Sequence, residues 1–204
     1  MKVQMSHLLL DIDGVLIRDK VLLDHVKNNV VRYVSKKLPT MKKHDKLNNL
    51  LYNTYGHTAI GLEKEFGIDT KDFNDYVYNR YTIAHLYDHI QNDETFKNDA
   101  FVLKLLCQAN KKISFFSNAP LVWTEPIREC IDLRITNTDG NLKPKLESYL
   151  KFGFDEKFVF VDDKLNNLMP VSFLKNWTPI HYSADKVCND IRVIHNISDL
   201  LGSN

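Results

Sequence analysis

Two aspartates one residue apart, Asp11 and Asp13 in LLLDIDGVL, are the first residues of the chain whose types and spacing imply chemistry. They follow the apolar run Leu8-Leu9-Leu10, which with Val3 reads as a short buried strand ending near Gly14. Side chains at i and i+2 of an extended chain share a face, roughly 7 Å apart along the backbone. Two carboxylates there repel each other unless a cation or a proton is held between them. Two further predicted strands also end in polar residues, KISFFSN in Ser117-Asn118 and KFVFVDD in Asp162-Asp163. One such ending is what a turn requires. Three of them place four carboxylates, a hydroxyl and an amide at one edge of one sheet. Carboxylates in that number share a cleft only with a cation, and oxygen ligands favour Mg²⁺. Lys143 in NLKPK, directly before Pro144 and near Lys145, adds fixed positive charge.

The elements that must position these residues follow from periodicity. From about Asp19 to Ile90 apolar residues recur at helical spacing, first Leu22, Val26, Val30 and Val34, then Leu47, Leu50 and Leu51, then Phe73, Val77 and Tyr81. Gly56 and Gly67 are placed to end helices, and Thr70 to cap the next one. A bridging helix over 94–110 carries Phe101, Leu105 and Leu106. Strands then alternate with helical segments: KISFFSN, LRIT, KFVFVDD, WTPIHY and IRVIH, separated by helices over 125–131, 145–151 and 165–174. Pro126 fits a helix that begins at Thr124 or Glu125, since proline is accepted in a first turn. Alternating strand and helix implies right-handed crossovers and a parallel α/β sheet, with ligands beyond the carboxyl ends of its strands.

Bulk properties narrow the classes. A chain of 204 residues, 44% hydrophobic and with 7 Gly and 6 Pro, is globular and holds one domain or one domain with an insertion. Its formal charge of +1 provides no overall field for a nucleic acid polymer or a membrane surface, and no apolar run approaches the ~20 residues of a span. The basic clusters Lys36-Lys37 and Lys42-Lys43-His44 read as solvated helix faces. Three cysteines, Cys107, Cys130 and Cys188, without CxxC spacing fit buried free thiols in a reducing compartment, so the cytoplasm is expected. For a chain this polar a monomer is the simplest expectation, with a dimer as the alternative.

DIDGVL, FFSNA, Lys143-Pro144 and FVDDKLNN, in that order, resemble the four motifs of the haloacid dehalogenase-like superfamily. The resemblance spans residues 8 to 167 and implies a Rossmann-like parallel sheet flanked by helices, formed by residues 1–16 and 94–204, with a helical cap over 17–93. Within that cap, LYNTYGHTAIGL and FNDYVY resemble the pyrimidine 5′-nucleotidase branch. The chemistry implied is hydrolysis of a small phosphorylated metabolite. Asp11 is the expected nucleophile and Asp13 the general acid and base. Mg²⁺ is expected on Asp11, Asp163 and the Asp13 carbonyl, with Asp162 binding the ion or ordering its surroundings. Ser117, Asn118 and Lys143 are expected to hold the phosphate. Asp13 also favours a phosphatase over a dehalogenase, because halide leaves without a proton and an alcohol does not. A sugar-phosphate phosphatase, a phosphomutase and a non-catalytic binding protein share these residues as alternatives.

Other residues read more plainly. His85 and His89 share a helix face but lack a third ligand at a zinc spacing. His57 lies at a helix start where it could meet substrate. Tyr52, Tyr55, Tyr76, Tyr78 and Tyr81 give an aromatic-rich cap in which packing dominates, and Trp123 reads as core.

Overall fold

The computed structural model describes residues 7–131, 136–137, 142–184 and 190–201. Val3, most of LRIT and Cys188 lie outside the described residues.

Strand β1 (His7–Leu10) is buried along its whole length, as a strand in the middle of a parallel sheet must be. It lies between β2 (Lys112–Phe115) and β4 (Phe158–Asp162) in a six-stranded sheet. β3 (Thr136–Asn137) flanks β2, while β5 (Trp177–Tyr182) and β6 (Arg192–Ile194) extend the sheet beyond β4, in the order β3-β2-β1-β4-β5-β6. Every pairing is parallel. Alternation along the strands divides the apolar residues between two faces. Leu8 and Leu10 join a core with Phe115 and Val161, whereas Leu9 joins Phe116, Phe160, Tyr149 and Trp177 on the other side.

Between β1 and β2 every regular element is a helix. α1 (Lys20–Lys37), α2 (His44–Tyr55), α3 (Thr58–Phe66), α4 (Thr70–Val77) and α5 (Arg80–Asn92) form an inserted block, and α6 (Glu94–Gln108) returns to the sheet. Asp19 starts α1 by accepting from the amides of Val21 and Leu22. A buried polar knot ties the block together. The Asn29 amide of α1 donates to the Val77 carbonyl at 3.2 Å and to the Thr82 hydroxyl at 3.1 Å. Gly56 and Gly67 end α2 and α3 in the left-handed conformation expected of them.

Several sequence expectations are corrected. Asp69, not Thr70, caps α4, and Thr70 is its first residue. Leu50, Tyr81 and Phe101 belong to their helices but face outward. Cys107 is buried, whereas Cys130 is exposed. α7 (Leu121–Ile131) starts earlier than the proline rule predicts, with Pro126 inside it. The Pro120 carbonyl accepts from the amides of Trp123 and Thr124, so the helix is already under way when Pro126 arrives. After α8 (Leu146–Leu150) and β4, the segment expected as one helix is α9 (Leu165–Leu168) followed by a 3-10 turn at Met169–Phe173. No helix among the described residues is long and apolar enough to cross a membrane.

Candidate active site

β1, β2 and β4 are neighbours, so the residues after them meet at one edge. Two backbone bonds carry the ladder past the strands, from the Asp11 amide to the Val161 carbonyl at 2.9 Å and from the Phe116 amide to the Leu10 carbonyl at 2.8 Å. They fix Asp11 between Ser117 and Asp162-Asp163. Gly14 turns the chain there with φ of +87°, and a Cβ on it would lie 2.3 Å from Asp163 Oδ2. Only glycine allows that approach.

Lys143 organises the carboxylates. Its side chain is 1% exposed, yet its Nζ lies 2.9 Å from Asp11 Oδ1 and 2.6 Å from Asp162 Oδ2. The rings of Phe116 and Phe160 flank it at 5.5 and 5.4 Å. Burial works against the ammonium, but Asp11 and Asp162 outweigh it and hold the Lys143 pKa above its ordinary value. Burial likewise pushes the Asp162 carboxyl upward, and Lys143 opposes it. Both Asp162 oxygens also accept from Asn167 Nδ2, at 3.0 and 2.9 Å, and Oδ1 takes the Lys164 amide at 2.8 Å. Both oxygens thus accept hydrogen bonds in this arrangement, which favours the ionised form against the upward push of burial.

Asp13 differs in kind. Burial and the nearby Asp11 raise its pKa to about 6, against a hydrogen bond of 2.9 Å from the Trp123 indole nitrogen. It is a carboxyl that holds its proton more readily than an ordinary one.

The metal reading can be tested on these atoms. One ligand oxygen each from Asp11, Asp162 and Asp163 lies within 4.8 Å of the others, the only such group among the described residues. Asp163 Oδ1 is buried without a hydrogen-bond partner, an arrangement that costs free energy unless something positive satisfies it. His181 donates to the Asp163 carbonyl at 3.0 Å and steadies that residue. An all-oxygen set with one orphaned carboxylate oxygen fits a hard divalent cation. Asp162 is engaged at both oxygens and Asp11 at Oδ1, which leaves the second Asp11 oxygen and Asp163 Oδ1 as the oxygens without such a partner, while Asp162 also holds Lys143.

Ser117, Asn118 and Lys143 all line a cavity of about 350 Å³ that also contains Asp11 and Asp13. The Asn118 carboxamide, however, is spent on backbone. Its nitrogen donates to the carbonyls of Gly56 at 2.7 Å and Lys143 at 2.8 Å, and its oxygen accepts the Lys143 amide at 2.8 Å. It cannot also grip a phosphate. Instead it fastens the end of α2 to the segment that carries the lysine, and Gly56 must be glycine because a Cβ there would lie 2.7 Å from the Lys143 carbonyl. His85 is exposed and His89 is buried against Phe96, so they do not converge on a ligand.

Two contributors escaped sequence reasoning. Trp123 is core, as expected, but its nitrogen reaches Asp13 across 110 residues. Asn167 was part of a motif without an assigned task, and its spacing of five from Asp162 is the one signal that could have marked it.

No protein-family model matches the sequence, and no curated protein matches it. Solved structures do. A family IA HAD hydrolase from Entamoeba histolytica superposes with a TM-score of 0.57 at 16% identity, covering 96% of this chain and 95% of its own. A HAD phosphatase from Thermococcus onnurineus gives 0.55 at 16%, covering 98% and 99%. A HAD hydrolase from Bacillus subtilis, bound to magnesium, gives 0.57 at 13%, with 97% of each chain covered. The fold is therefore that of the haloacid dehalogenase-like hydrolases, a parallel α/β sheet with a helical block inserted after its first strand.

Proposed function

We propose that this protein is a Mg²⁺-dependent phosphomonoesterase that works through an aspartyl-phosphate on Asp11, with nucleoside 5′-monophosphates foremost among its substrates. The observation that carries the reading is the Asp11 carboxylate, held at Oδ1 by Lys143 where both line a cavity, with a readily protonated carboxyl two residues on. The Ile12 amide donates to the same Oδ1 at 2.8 Å, which leaves the other oxygen to attack phosphorus. As the new P–O bond forms on Asp11, the bond to the alcohol breaks and Asp13 gives that oxygen its proton. Asp13, now ionised, takes a proton from the water that attacks the phospho-aspartate and frees Asp11. Ser117 and Lys143 steady the phosphate oxygens. Mg²⁺ on Asp11, Asp163 and the Asp13 carbonyl would neutralise charge between nucleophile and ester. Residues 17–93 are taken as a cap that shields the intermediate, with residues 1–16 and 94–204 as the core.

The test is hydrolysis of p-nitrophenyl phosphate with Mg²⁺, with EDTA and by Asp11→Asn. Turnover is expected only in the first case, with a loss of at least about a thousandfold in the variant. Activity surviving in Asp11→Asn would remove the covalent route.

A further inference from the structure

The loop that carries Lys143 is held from two sides. On the side of the sheet, the lysine reaches Asp11 and Asp162 with its own Nζ, and the Ser148 hydroxyl of α8 donates to the Leu142 carbonyl at 2.7 Å. On the other side the support comes from the inserted helical block, and it passes through one side chain. Asn118 Oδ1 accepts the Lys143 amide at 2.8 Å, and its Nδ2 donates to the Lys143 carbonyl at 2.8 Å. The same nitrogen donates to the Gly56 carbonyl at 2.7 Å, just past the end of α2.

A primary amide has two N–H groups, and both are committed here to backbone carbonyls, one from the block and one from the lysine itself. The position of the Lys143 backbone therefore depends on where α2 ends. That end also shapes the cavity. Tyr52, whose carbonyl takes the Gly56 amide at 2.8 Å, and His57, which follows Gly56, both line it. At the far end of the lysine, hydrogen bonds to two carboxylates weaken steeply with distance and angle, and a misplacement of about 1 Å can cost on the order of a hundredfold in rate.

We infer that Asn118 and Gly56 are positioning residues, through which the helical block as well as the sheet sets Lys143 against Asp11. The kinetic consequence rests on the phosphomonoesterase reading, whereas the strut itself does not. The block thereby takes part in the chemistry through its main chain, without a side chain of its own on the phosphate.

The experiment compares wild type with Asn118→Ala, which removes the whole strut, and Asn118→Asp, which keeps the size and an acceptor for the Lys143 amide but cannot donate to either carbonyl. In hydrogen exchange, Asn118→Ala should speed exchange over 52–58 and over 142–146 together, with α6 as in wild type. In hydrolysis of p-nitrophenyl phosphate with Mg²⁺, both variants should lose about tenfold to a hundredfold in kcat, with the inhibition constant of inorganic phosphate within about threefold of wild type. A loss carried mainly by weaker binding of inorganic phosphate would make Asn118 a phosphate ligand and overturn the inference. Unchanged kcat would overturn it too, leaving a residue that only packs. So would exchange that rises over 142–146 but not over 52–58, because the block would then have no part in holding the lysine. If wild type hydrolyses no ester, the phosphomonoesterase reading fails, while the exchange measurement still decides whether the strut exists.

Discussion

The two ends of β1 bury titratable groups in opposite ways. At the carboxyl end, Asp11 and Asp162 are nearly inaccessible and share one buried ammonium. At the amino end, His7 is equally buried, donating to or accepting from the Ser114 hydroxyl at 2.9 Å, with Glu156 Oε2 3.3 Å from its other nitrogen. That contact has the form of an ion pair, but burial first and Lys112 second lower the His7 pKa to about 4, and the geometry is that of a neutral ring near a half-exposed carboxylate. The same sheet thus neutralises one end and concentrates charge at the other. Burying charge costs free energy that an apolar replacement would avoid. The arrangement at the carboxyl end is therefore a device for holding carboxylates in place rather than a source of stability, as the proposed nucleophile Asp11 would require.

The largest expected effect breaks that device. Lys143→Met fits an apolar side chain between Phe116 and Phe160 but leaves Asp11 and Asp162 facing each other in a dry site. Removing one partner of a buried pair costs about 3–5 kcal/mol, and urea unfolding should show a loss of that order together with lost turnover. A loss below about 1 kcal/mol would mean the carboxylates are not held ionised, and the contrast between the two ends would disappear.

A smaller effect sharpens the contrast from the amino end. His7 has a folded pKa near 4 against 6.5 for the free side chain. Between those values the unfolded chain binds a proton that the folded chain refuses, so stability falls as pH drops from 6.5 toward 4. At the lower limit the full shift amounts to about 3 kcal/mol, with roughly half of it lost by pH 5 to 5.5. His7→Gln should flatten that stretch of the stability curve. An unchanged slope in the variant would show that folding does not lower the His7 pKa.

Legibility in the sequence divides along physical lines. The strand ends could be read because their polar residues are covalently next to the apolar runs that become β1, β2 and β4, and parallel pairing then does the rest. Asp11, Ser117 and Asp162 meet for that reason alone. Direction was not legible. FFSN places Asn118 at the site but cannot say that its amide turns away to Gly56 and Lys143. Pro126 misplaced the start of α7 because local propensity says nothing about the Pro120 carbonyl that accepts the first amides. His57 was visible as a helix start, yet which of its nitrogens is free depends on the Ala59 amide. His7 gave no signal, since a histidine opening a buried strand differs little from any other residue there.

Trp123 gives the finest test, because it separates a residue that holds charge from one that tunes a proton. Its indole donates to Asp13 from α7, outside the strand ends, and it packs against Tyr78 of the helical block at 5.7 Å between ring centres. Trp123→Phe keeps most of the apolar volume and removes the donor, so the fold should survive with a modest loss of stability. What changes is the aim of Asp13. On the proposed mechanism an ester whose alcohol is a poor leaving group depends on the proton that Asp13 delivers, whereas p-nitrophenolate departs without one. The variant should therefore lose about fivefold to tenfold in kcat on an alkyl phosphate and markedly less on p-nitrophenyl phosphate, in line with a single hydrogen bond. Equal losses on the two esters would assign Trp123 to packing alone, and the orientation of Asp13 would then have to come from the turn at Gly14.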